Sequence, residues 1–299
     1  MYPQFWGMNQ RPFAQTHDPS MFVPVASAMS SLTRLRYAVS SSLGVCALCG
    51  GAGVGKTELA RIILHDYSAS GWATAYLPTP AGNRDELFGM LLHAFDGRMG
   101  NALSPLEALS VRISEIAAAG GKMLAVIDDA QCLRDVELLD DIRTLLNLEH
   151  EGRPALNLIL CGQPEMRGKL AAAGNFNSRL SMDIELHNFD TAEAETYMLQ
   201  RLKNSGCTHG IFTKKAAETV IKATAGNPGD INRVCELSLI MAYAMQQQRI
   251  KPEIVSAAAR ELHLPEDDYR ARLYDEVWSG DIARPEEFTA PEEDILAGL

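Results

Sequence analysis

Eight consecutive residues, Gly50-Gly51-Ala52-Gly53-Val54-Gly55-Lys56-Thr57, match the P-loop pattern G-x-x-x-x-G-K-[ST] in full. The apolar run 45–49 before them predicts a buried strand, and the pattern of 57–67 predicts a helix. A strand that turns directly into a helix points backbone N–H groups into an anion-sized hollow, which glycines leave open for phosphate oxygens. The sequence therefore predicts a nucleoside triphosphate site over Gly50–Thr57 and the adjoining Glu58. In such a site Lys56 reaches the β- and γ-phosphates, and the Thr57 hydroxyl ligates Mg²⁺.

A second apolar run, 123–127, ends in the acidic pair Asp128-Asp129. A strand buried on both faces with an acidic end is the Walker B form, and its acidic end meets the nucleotide at the carboxyl edge of a parallel sheet. We expect Asp128 to hold Mg²⁺ through the water shell of the ion and Asp129 to orient the attacking water as a general base. The alternative is an Asp pair that only begins a turn, and the P-loop upstream argues against it.

A further predicted strand, 156–163, ends in the polar residue Gln163. Two interpretations of Gln163 stay open. Its side chain would contact the γ-phosphate or the attacking water, the role called sensor 1, or it would cap the helix that Pro164 opens.

Strands alternate with helices up to residue 189, which predicts a parallel α/β sheet with right-handed crossovers. From Asp190 onward the strands stop and four helices are predicted. The expected fold class is therefore α/β, a P-loop NTPase with a three-layer parallel sheet and a small C-terminal all-helical lid. The predicted divisions are 1–44 for an N-terminal extension and first helix, 45–189 for the sheet core, 190–264 for the lid and 265–299 for a tail.

The predicted tail is acidic: residues 265–299 contain eleven acidic and three basic residues and so hold most of the net charge of −11. Such a segment is typical of a weakly ordered terminus. A solvated terminus kept for solubility is the favoured interpretation. Docking on a basic partner, or covering a basic groove of the same chain, is the other.

The rest of the composition predicts a cytoplasmic protein without a membrane span. No apolar run approaches the roughly 18 residues that a membrane helix needs, and the first twenty residues lack a signal-peptide pattern. The six cysteines are expected to be small buried hydrophobes. In Cys46-x-x-Cys49 the thiols lie three residues apart on a predicted strand and would point to opposite faces, which favours a structural role over redox chemistry or zinc binding.

Several further segments carry a resemblance to a known family. They are Tyr2-Pro3-Gln4-Phe5-Trp6-Gly7-Met8, Arg11-Pro12-Phe13, His17-Asp18-Pro19, Ile127-Asp128-Asp129-Ala130-Gln131, Leu145-Leu146-Asn147-Leu148-Glu149, Cys161-Gly162-Gln163-Pro164-Glu165-Met166-Arg167, and Gly226-Asn227-Pro228-Gly229-Asp230-Ile231-Asn232-Arg233-Val234-Cys235. Over residues 2–254 the chain resembles the AAA+ ATPases of the general secretion pathway protein A (ExeA-like) family, whose relatives include the target-selecting ATPases of transposition. The resemblance implies ATP as the nucleotide, hydrolysis that depends on Mg²⁺, and a homo-oligomer. It also implies an unidentified protein partner in a secretion, envelope-assembly or transposition setting, and it places Pro228 of the lid segment at the nucleotide.

Two departures from the family pattern change what the resemblance implies. The family has Asp-Glu where this chain has Asp128-Asp129, and the shorter carboxylate predicts slow hydrolysis because displacements near 1 Å cost about 100-fold. The lid arginine of the family is replaced by Gly229, and Arg233, one turn later, is the nearest substitute. Arg179 matches an arginine-bearing segment of the family; a finger supplied to a neighbouring subunit and a surface arginine are equally open.

Two functions therefore remain open. The first is an ATP-hydrolysing switch or motor that remodels a partner, and the second is an ATP-binding oligomeric scaffold with little turnover. DNA binding is a subsidiary hypothesis with thin support. Lys214, Lys215, Lys222 and Arg233 fall in the lid, but they form no dense basic run interleaved with aromatic residues, and the isoelectric point is about 5.1. A helix-turn-helix over residues 213–244 is explained more simply by lid helices.

Overall fold

A computed structural model of the chain describes residues 2–14, 18–80, 83–133 and 136–264. The predicted acidic tail, 265–299, lies outside these residues. The chain divides into two compact units. The described residues of 27–187 form one, called here the sheet unit; those of 2–26 and 188–264 form the other, called here the helical unit.

The sheet unit is built on a five-stranded sheet of order β2-β3-β6-β1-β7, in which every neighbouring pair is parallel. Its strands, with the two of a small antiparallel hairpin, are β1 (Val45–Gly50), β2 (Ala73–Leu77), β3 (Met123–Ile127), β4 (Glu149–His150), β5 (Arg153–Pro154), β6 (Leu156–Gly162) and β7 (Leu180–Leu186). Because the strands run the same way, the residues that follow β1, β2, β3 and β6 meet at one edge of the sheet.

Helices cover both faces of this sheet. In chain order they are α2 (Ala26–Ser40, which begins at the boundary between the units), α3 (Lys56–Ala69), α4 (Arg84–Ala94), α5 (Pro105–Ala118), α6 (Val136–Leu146), α7 (Glu165–Ala172) and α8 (Gly174–Asn177). Side chains of one parity along the strands, such as Ala47 and Ile127, form a core with Leu109 of α5 and Ile142 of α6. Leu48 and Val126, of the opposite parity, are also fully buried, and α3 packs across β1, β2, β3 and β6. The predicted α/β fold with a three-layer parallel sheet is confirmed.

Burial on both faces explains why the central strands are continuous apolar runs. It also decides the role of Cys46 and Cys49. Both thiols are free and buried, Cys49 belongs to the core of one face and Cys46 does not. Burial raises the pKa of Cys46 to about 12 and that of Cys49 to about 11. Both thiols therefore stay protonated at neutral pH, as expected for structural cysteines.

In its described part, up to residue 264, the helical unit contains four helices after residue 190: α9 (Thr191–Asn204), α10 (Lys214–Thr224), α11 (Pro228–Ala244) and α12 (Pro252–Glu261). The first three begin at side-chain caps supplied by Asp190, Thr213 and Asn227, as helix N-termini favour. The N-terminal residues, with the short helix α1 (Tyr2–Phe5), pack onto α11.

The predicted division at residue 44 differs from the structure, which separates the two units between Ala26 and Ser27. The physical reason is that the first 26 residues bury apolar side chains in the helical unit. Trp6 and Phe13 are almost fully buried, the Trp6 indole donates to the carbonyl of Gln248 at 2.9 Å, and Phe13 meets Phe212 edge-on. α2 instead belongs with the sheet. On the other side of the sheet unit, the boundary falls at His187/Asn188, where the sequence predicted 189/190.

Candidate nucleotide and magnesium site

The P-loop joins β1 to α3 through a backbone that depends on its glycines, as Gly55 and Gly50 illustrate. Gly55, at the N-cap of α3, has φ 101° and ψ 14°, a left-handed conformation that costs little only for glycine. At Gly50 a Cβ would come within 2.7 Å of the carbonyl oxygen of Leu186. Because Gly55 has no side chain to cap the helix, the first N–H groups of α3 remain available to an anion.

Lys56 folds back over the loop that precedes it. Its ammonium donates to the carbonyl oxygens of Gly50 at 2.9 Å and of Gly51 at 2.8 Å, and the residue is buried. Burial lowers the pKa of Lys56, and the nearby Asp128 carboxylate opposes that shift. A cation that is partly stripped of water and held in a hollow of backbone dipoles is suited to bind phosphate oxygens.

The Thr57 hydroxyl donates to Oδ2 of Asp128 at 2.6 Å, across 71 residues of sequence. Asp128 follows β3 and is only 4% exposed. The Tyr76 hydroxyl, near the end of β2, donates to the same oxygen at 3.0 Å. Burial first, and then the Asp128 carboxylate, raise the pKa of Tyr76. The hydroxyl and carboxylate oxygens that meet here are the ligand types that Mg²⁺ takes, directly or through its water shell, so Thr57 and Asp128 fit a magnesium site.

Asp129 and Gln163 are joined through Gln131. Asp129 has φ 48° and ψ 38°, a left-handed conformation that Asp adopts more readily than most residues. Its Oδ1 accepts from the side-chain amide of Gln131 at 3.0 Å. The carbonyl oxygen of the same amide accepts from the backbone N–H of Gln163 at 3.0 Å. Pro164 is the N-cap of α7, and the backbone carbonyl of Gln163 accepts from the N–H of Met166 at 2.9 Å.

One edge of the sheet thus gathers the predicted residues Lys56, Thr57, Asp128, Asp129 and Gln163. Sequence reasoning missed two partners of this group, Tyr76 and Gln131. The signal for Tyr76 was its place one residue before the end of β2, level with Val126 of the Walker B strand. Gln131 ends the segment Ile127-Asp128-Asp129-Ala130-Gln131, which carries the family resemblance. The spacing of residues in that segment does not predict that the Gln131 amide contacts residues after two different strands.

Arg179 lies at the opposite edge of the sheet. Leu180 is level with Val45 at the start of β1, and Leu186 is level with Gly50 at its end. Val45 and Gly50 are five residue steps apart on β1, and Arg179 precedes Leu180, so Arg179 lies more than roughly 16 Å from the P-loop edge. Arg179 is exposed, and its guanidinium donates to Oδ1 of Asn147 at 2.6 Å.

Two predicted lid residues lie in the helical unit. Pro228 is the first residue of α11 and is buried. Arg233, on the same helix, forms an ion pair with Asp230 (Nη1 to Oδ1, 3.2 Å). Each is therefore fixed within its own unit.

Comparisons with known proteins agree with the sheet and its P-loop. Residues 17–170 match a family model described as an AAA domain. General secretion pathway protein A of Aeromonas hydrophila is 28% identical over 268 residues, which cover 88% of this chain and 48% of that protein. The chain therefore spans about half the length of this curated relative.

Two solved structures have a similar fold. The ORC2 protein of Aeropyrum pernix, in its ADPNP-ADP complexes, has a TM-score of 0.65 at 15% identity, over 85% of this chain and 72% of that one. Cdc6p of Pyrobaculum aerophilum has a TM-score of 0.62 at 18% identity, over 84% and 70% of the two chains. At these identities the likeness concerns the fold alone. Among the described residues, no helix combines the length and the apolar character needed to cross a bilayer.

Proposed function

The chain belongs to the AAA domain family, and from that premise we propose that it binds ATP with Mg²⁺ at the P-loop edge of its sheet and hydrolyses it slowly. The observation that carries the proposal is the hydrogen bond of 2.6 Å between Thr57 and Asp128. It joins the P-loop and the Walker B strand, the two halves of a triphosphate-magnesium site, across 71 residues of sequence.

Binding is assigned to the P-loop, Gly50–Thr57, with Glu58 in the first turn of α3. Its N–H groups and the Lys56 ammonium take the phosphate oxygens, because they combine a helix N-terminus with a partly desolvated cation. On nucleotide binding, the Lys56 donors now shared by two loop carbonyls turn to the phosphates. Thr57 and Asp128 hold Mg²⁺, which when bound neutralises charge on the phosphate oxygens.

Hydrolysis is assigned to Asp129 as the general base that orients water, with Gln163 beside it at the end of β6. The short aspartate carries its carboxylate one methylene less far than a glutamate would. This supports a slow reaction, since small displacements of a catalytic group cost large factors in rate.

The wider role rests on the relatives. We place the chain in a homo-oligomer in the cytoplasm, where ATP is supplied, with Arg179 reaching the nucleotide of a neighbouring subunit. There it would drive or gate assembly with a protein partner. The similarity to General secretion pathway protein A favours a secretion or envelope system for that partner, and a transposition-like system is the alternative.

Two substitutions test binding and hydrolysis separately. Lys56→Ala is expected to weaken binding of a fluorescent ATP analogue by at least about 10-fold, because it removes a charge-assisted contact. Asp129→Asn is expected to leave binding within about twofold and to lower turnover by about 100-fold, the usual contribution of a general base. Lys203→Ala, an exposed residue of α9, is the matched control. Unchanged ATP binding in Lys56→Ala would contradict the proposed site.

A second function, an ATP-binding scaffold with little turnover, is favoured by one observation: the lid segment has Gly229 where the family resemblance implies an arginine. Turnover with bound Mg²⁺-ATP separates the two functions. A scaffold would change its solution mass on binding ATP and release no phosphate, and the Asp129→Asn variant would then behave as the unaltered chain does.

A further inference from the structure

We propose that Gln131 is a positioning residue for the hydrolysis proposed above, holding the Asp129 carboxylate at a fixed place relative to the end of β6. The inference deepens that function and rests on it. It starts from one side chain that uses both ends of its amide, since Nε2 donates to Asp129 and Oε1 accepts from the backbone of Gln163.

The two hydrogen bonds of the Gln131 side chain, to Asp129 and to Gln163, are called here the Gln131 brace. The surroundings of Asp129 explain why its carboxylate needs this support. The residue is exposed and lies in a left-handed turn beyond the end of β3, where β-sheet pairing no longer fixes the backbone. Gln131 supplies a side-chain hydrogen bond to its carboxylate. Without that bond the carboxylate can rotate about its side-chain bonds, and displacements of its oxygens by about 1 Å are enough to slow general-base catalysis.

The brace is itself anchored. Gln131 lies in a short 3-10 helix, Ala130–Cys132, and Lys169 of α7 donates to the backbone carbonyls of Gln131 and, at 2.8 Å, of Leu133. α7 follows β6 directly, so the turn after β3 and the end of β6 are tied at two points, by Lys169 and by the Gln131 amide. A side chain held at both ends loses rotational freedom and can fix its partner.

Gly162 makes room for the contact. A Cβ at this last residue of β6 would lie 3.0 Å from Oε1 of Gln131 and 2.7 Å from Sδ of Met166. Met166 ends in a flexible thioether that can move aside, but the Gln131 oxygen is held by the Gln163 N–H. Glycine at 162 therefore lets the amide approach the end of the strand.

Glutamate at position 131 separates the two halves of the brace. Gln131→Glu keeps an oxygen for the Gln163 N–H, but it replaces the donor to Asp129 with a second carboxylate. Gln131→Met keeps the length of the side chain and loses both bonds. Gln247→Glu, at an exposed position of the helical unit, is the matched control for the added charge.

Two readouts are measured on the full chain. The first is hydrogen exchange of the Gln163 amide, which needs no turnover. It is expected to be unchanged in Gln131→Glu and roughly 10-fold faster in Gln131→Met, the effect of losing one hydrogen bond. The second is kinetic: kcat is expected to fall by about 10-fold or more in both variants, while the affinity for ATP stays within about twofold.

A second pair of variants reaches the brace without altering Gln131. Lys169→Met frees the turn, and Gly162→Ala pushes on the Gln131 oxygen. Both are expected to lower kcat by a few-fold with ATP affinity retained. A merely structural role would instead change affinity and thermal stability together with kcat.

The inference is overturned if Gln131→Glu hydrolyses ATP at the rate of the unaltered chain, or if Gln131→Met leaves exchange of the Gln163 amide unchanged. Its failure is distinct from failure of the proposed function. If the unaltered chain binds ATP and releases no phosphate, hydrolysis and the positioning role fall together. If the unaltered chain hydrolyses ATP and Gln131→Glu matches it, only the positioning role falls.

Discussion

At the scale of single residues, three donors among the described residues surround the Asp128 carboxylate. Thr57 and Tyr76 donate hydroxyl hydrogens to Oδ2, and the backbone N–H of Asp129 donates to Oδ1 at 3.0 Å. Hydrogen bonds to an ionised acceptor are among the stronger ones in proteins. They fix the orientation of the carboxylate before any cation arrives, which lowers the cost of ordering it on binding.

Tyr76 offers the cleanest test of this orientation, because phenylalanine keeps the ring and removes only the hydroxyl. We expect Tyr76→Phe to raise the Mg²⁺ concentration needed for half-maximal ATP binding by about threefold to tenfold, since one hydrogen bond to a charged group is lost. Titrating Mg²⁺ at fixed nucleotide measures it. Tyr37→Phe, at a tyrosine that is 61% exposed, is the control. An unchanged Mg²⁺ requirement would mean that Tyr76 only fills space beside Asp128.

At the scale of secondary-structure elements, sequence reasoning succeeded where one signal dominates. The strand predicted over 123–127 has those bounds in the structure, and the strands predicted over 45–49 and 156–163 are observed within one residue of them, because each is a continuous apolar run. The four helices expected after Asp190 are also observed among the described residues, where apolar periodicity and N-cap residues agree. The P-loop and the Asp pair could be predicted for a similar reason: each is a contiguous motif at the end of an apolar strand.

The features that were not predicted, β7 and the contacts of Tyr76 and Gln131, have weaker signals in the sequence. β7 is an edge strand whose side chains alternate between buried and exposed, so it lacks the continuous apolar run that marked the central strands. Its alternating pattern, Leu180, Met182, Ile184 and Leu186, was nevertheless present in the sequence. The contacts of Tyr76 and Gln131 could not be predicted because they cross between strand ends, and register between distant strands is not written in local sequence.

Arg201 of α9 connects this helix to the N-terminal segment, the described residues up to Ala26, through hydrogen bonds. Its buried guanidinium donates to three backbone carbonyls, those of Pro12 at 2.6 Å, Ala14 at 2.8 Å and Met21 at 3.4 Å. The guanidinium has enough donors to satisfy all three carbonyls at once. Buried backbone carbonyls need hydrogen-bond donors, and a segment outside helices and strands has no regular backbone partners to supply them. The Arg201 side chain supplies these donors to the N-terminal segment.

We expect Arg201→Met to lower the free energy of unfolding of the helical unit by roughly 3 kcal/mol, because buried carbonyls lose their donor. Urea denaturation followed by circular dichroism measures it. Lys203→Met, at an exposed position two residues along the same helix, is expected to change stability by less than about 0.5 kcal/mol. A loss in Arg201→Met no larger than that of the control would show that the segment is held by its apolar side chains alone.

At the scale of the whole molecule, the predicted site residues of the sheet unit lie at both ends of its strands. The P-loop and the Asp pair lie at the carboxyl edge, whereas Arg179 precedes β7 at the amino edge. An arginine so placed cannot reach phosphates bound to its own chain without unfolding a strand. If it contacts a nucleotide, that nucleotide belongs to a neighbouring copy, in a head-to-tail contact that repeats around an oligomer.

Mixing two inactive variants tests this arrangement. Arg179→Ala keeps an intact P-loop and Lys56→Ala keeps an intact Arg179, so each alone is expected to hydrolyse ATP at no more than a few per cent of the rate of the unaltered chain. In an equal mixture roughly a quarter of head-to-tail contacts join the intact P-loop of one variant to the Arg179 of the other, and turnover is expected to recover to that extent. Asn147→Ala, which removes only the observed partner of Arg179, is expected to hydrolyse normally. Full activity of Arg179→Ala alone would instead make Arg179 a surface residue bound to Asn147, because a site that needs no second subunit has no use for an arginine at the far edge of the sheet.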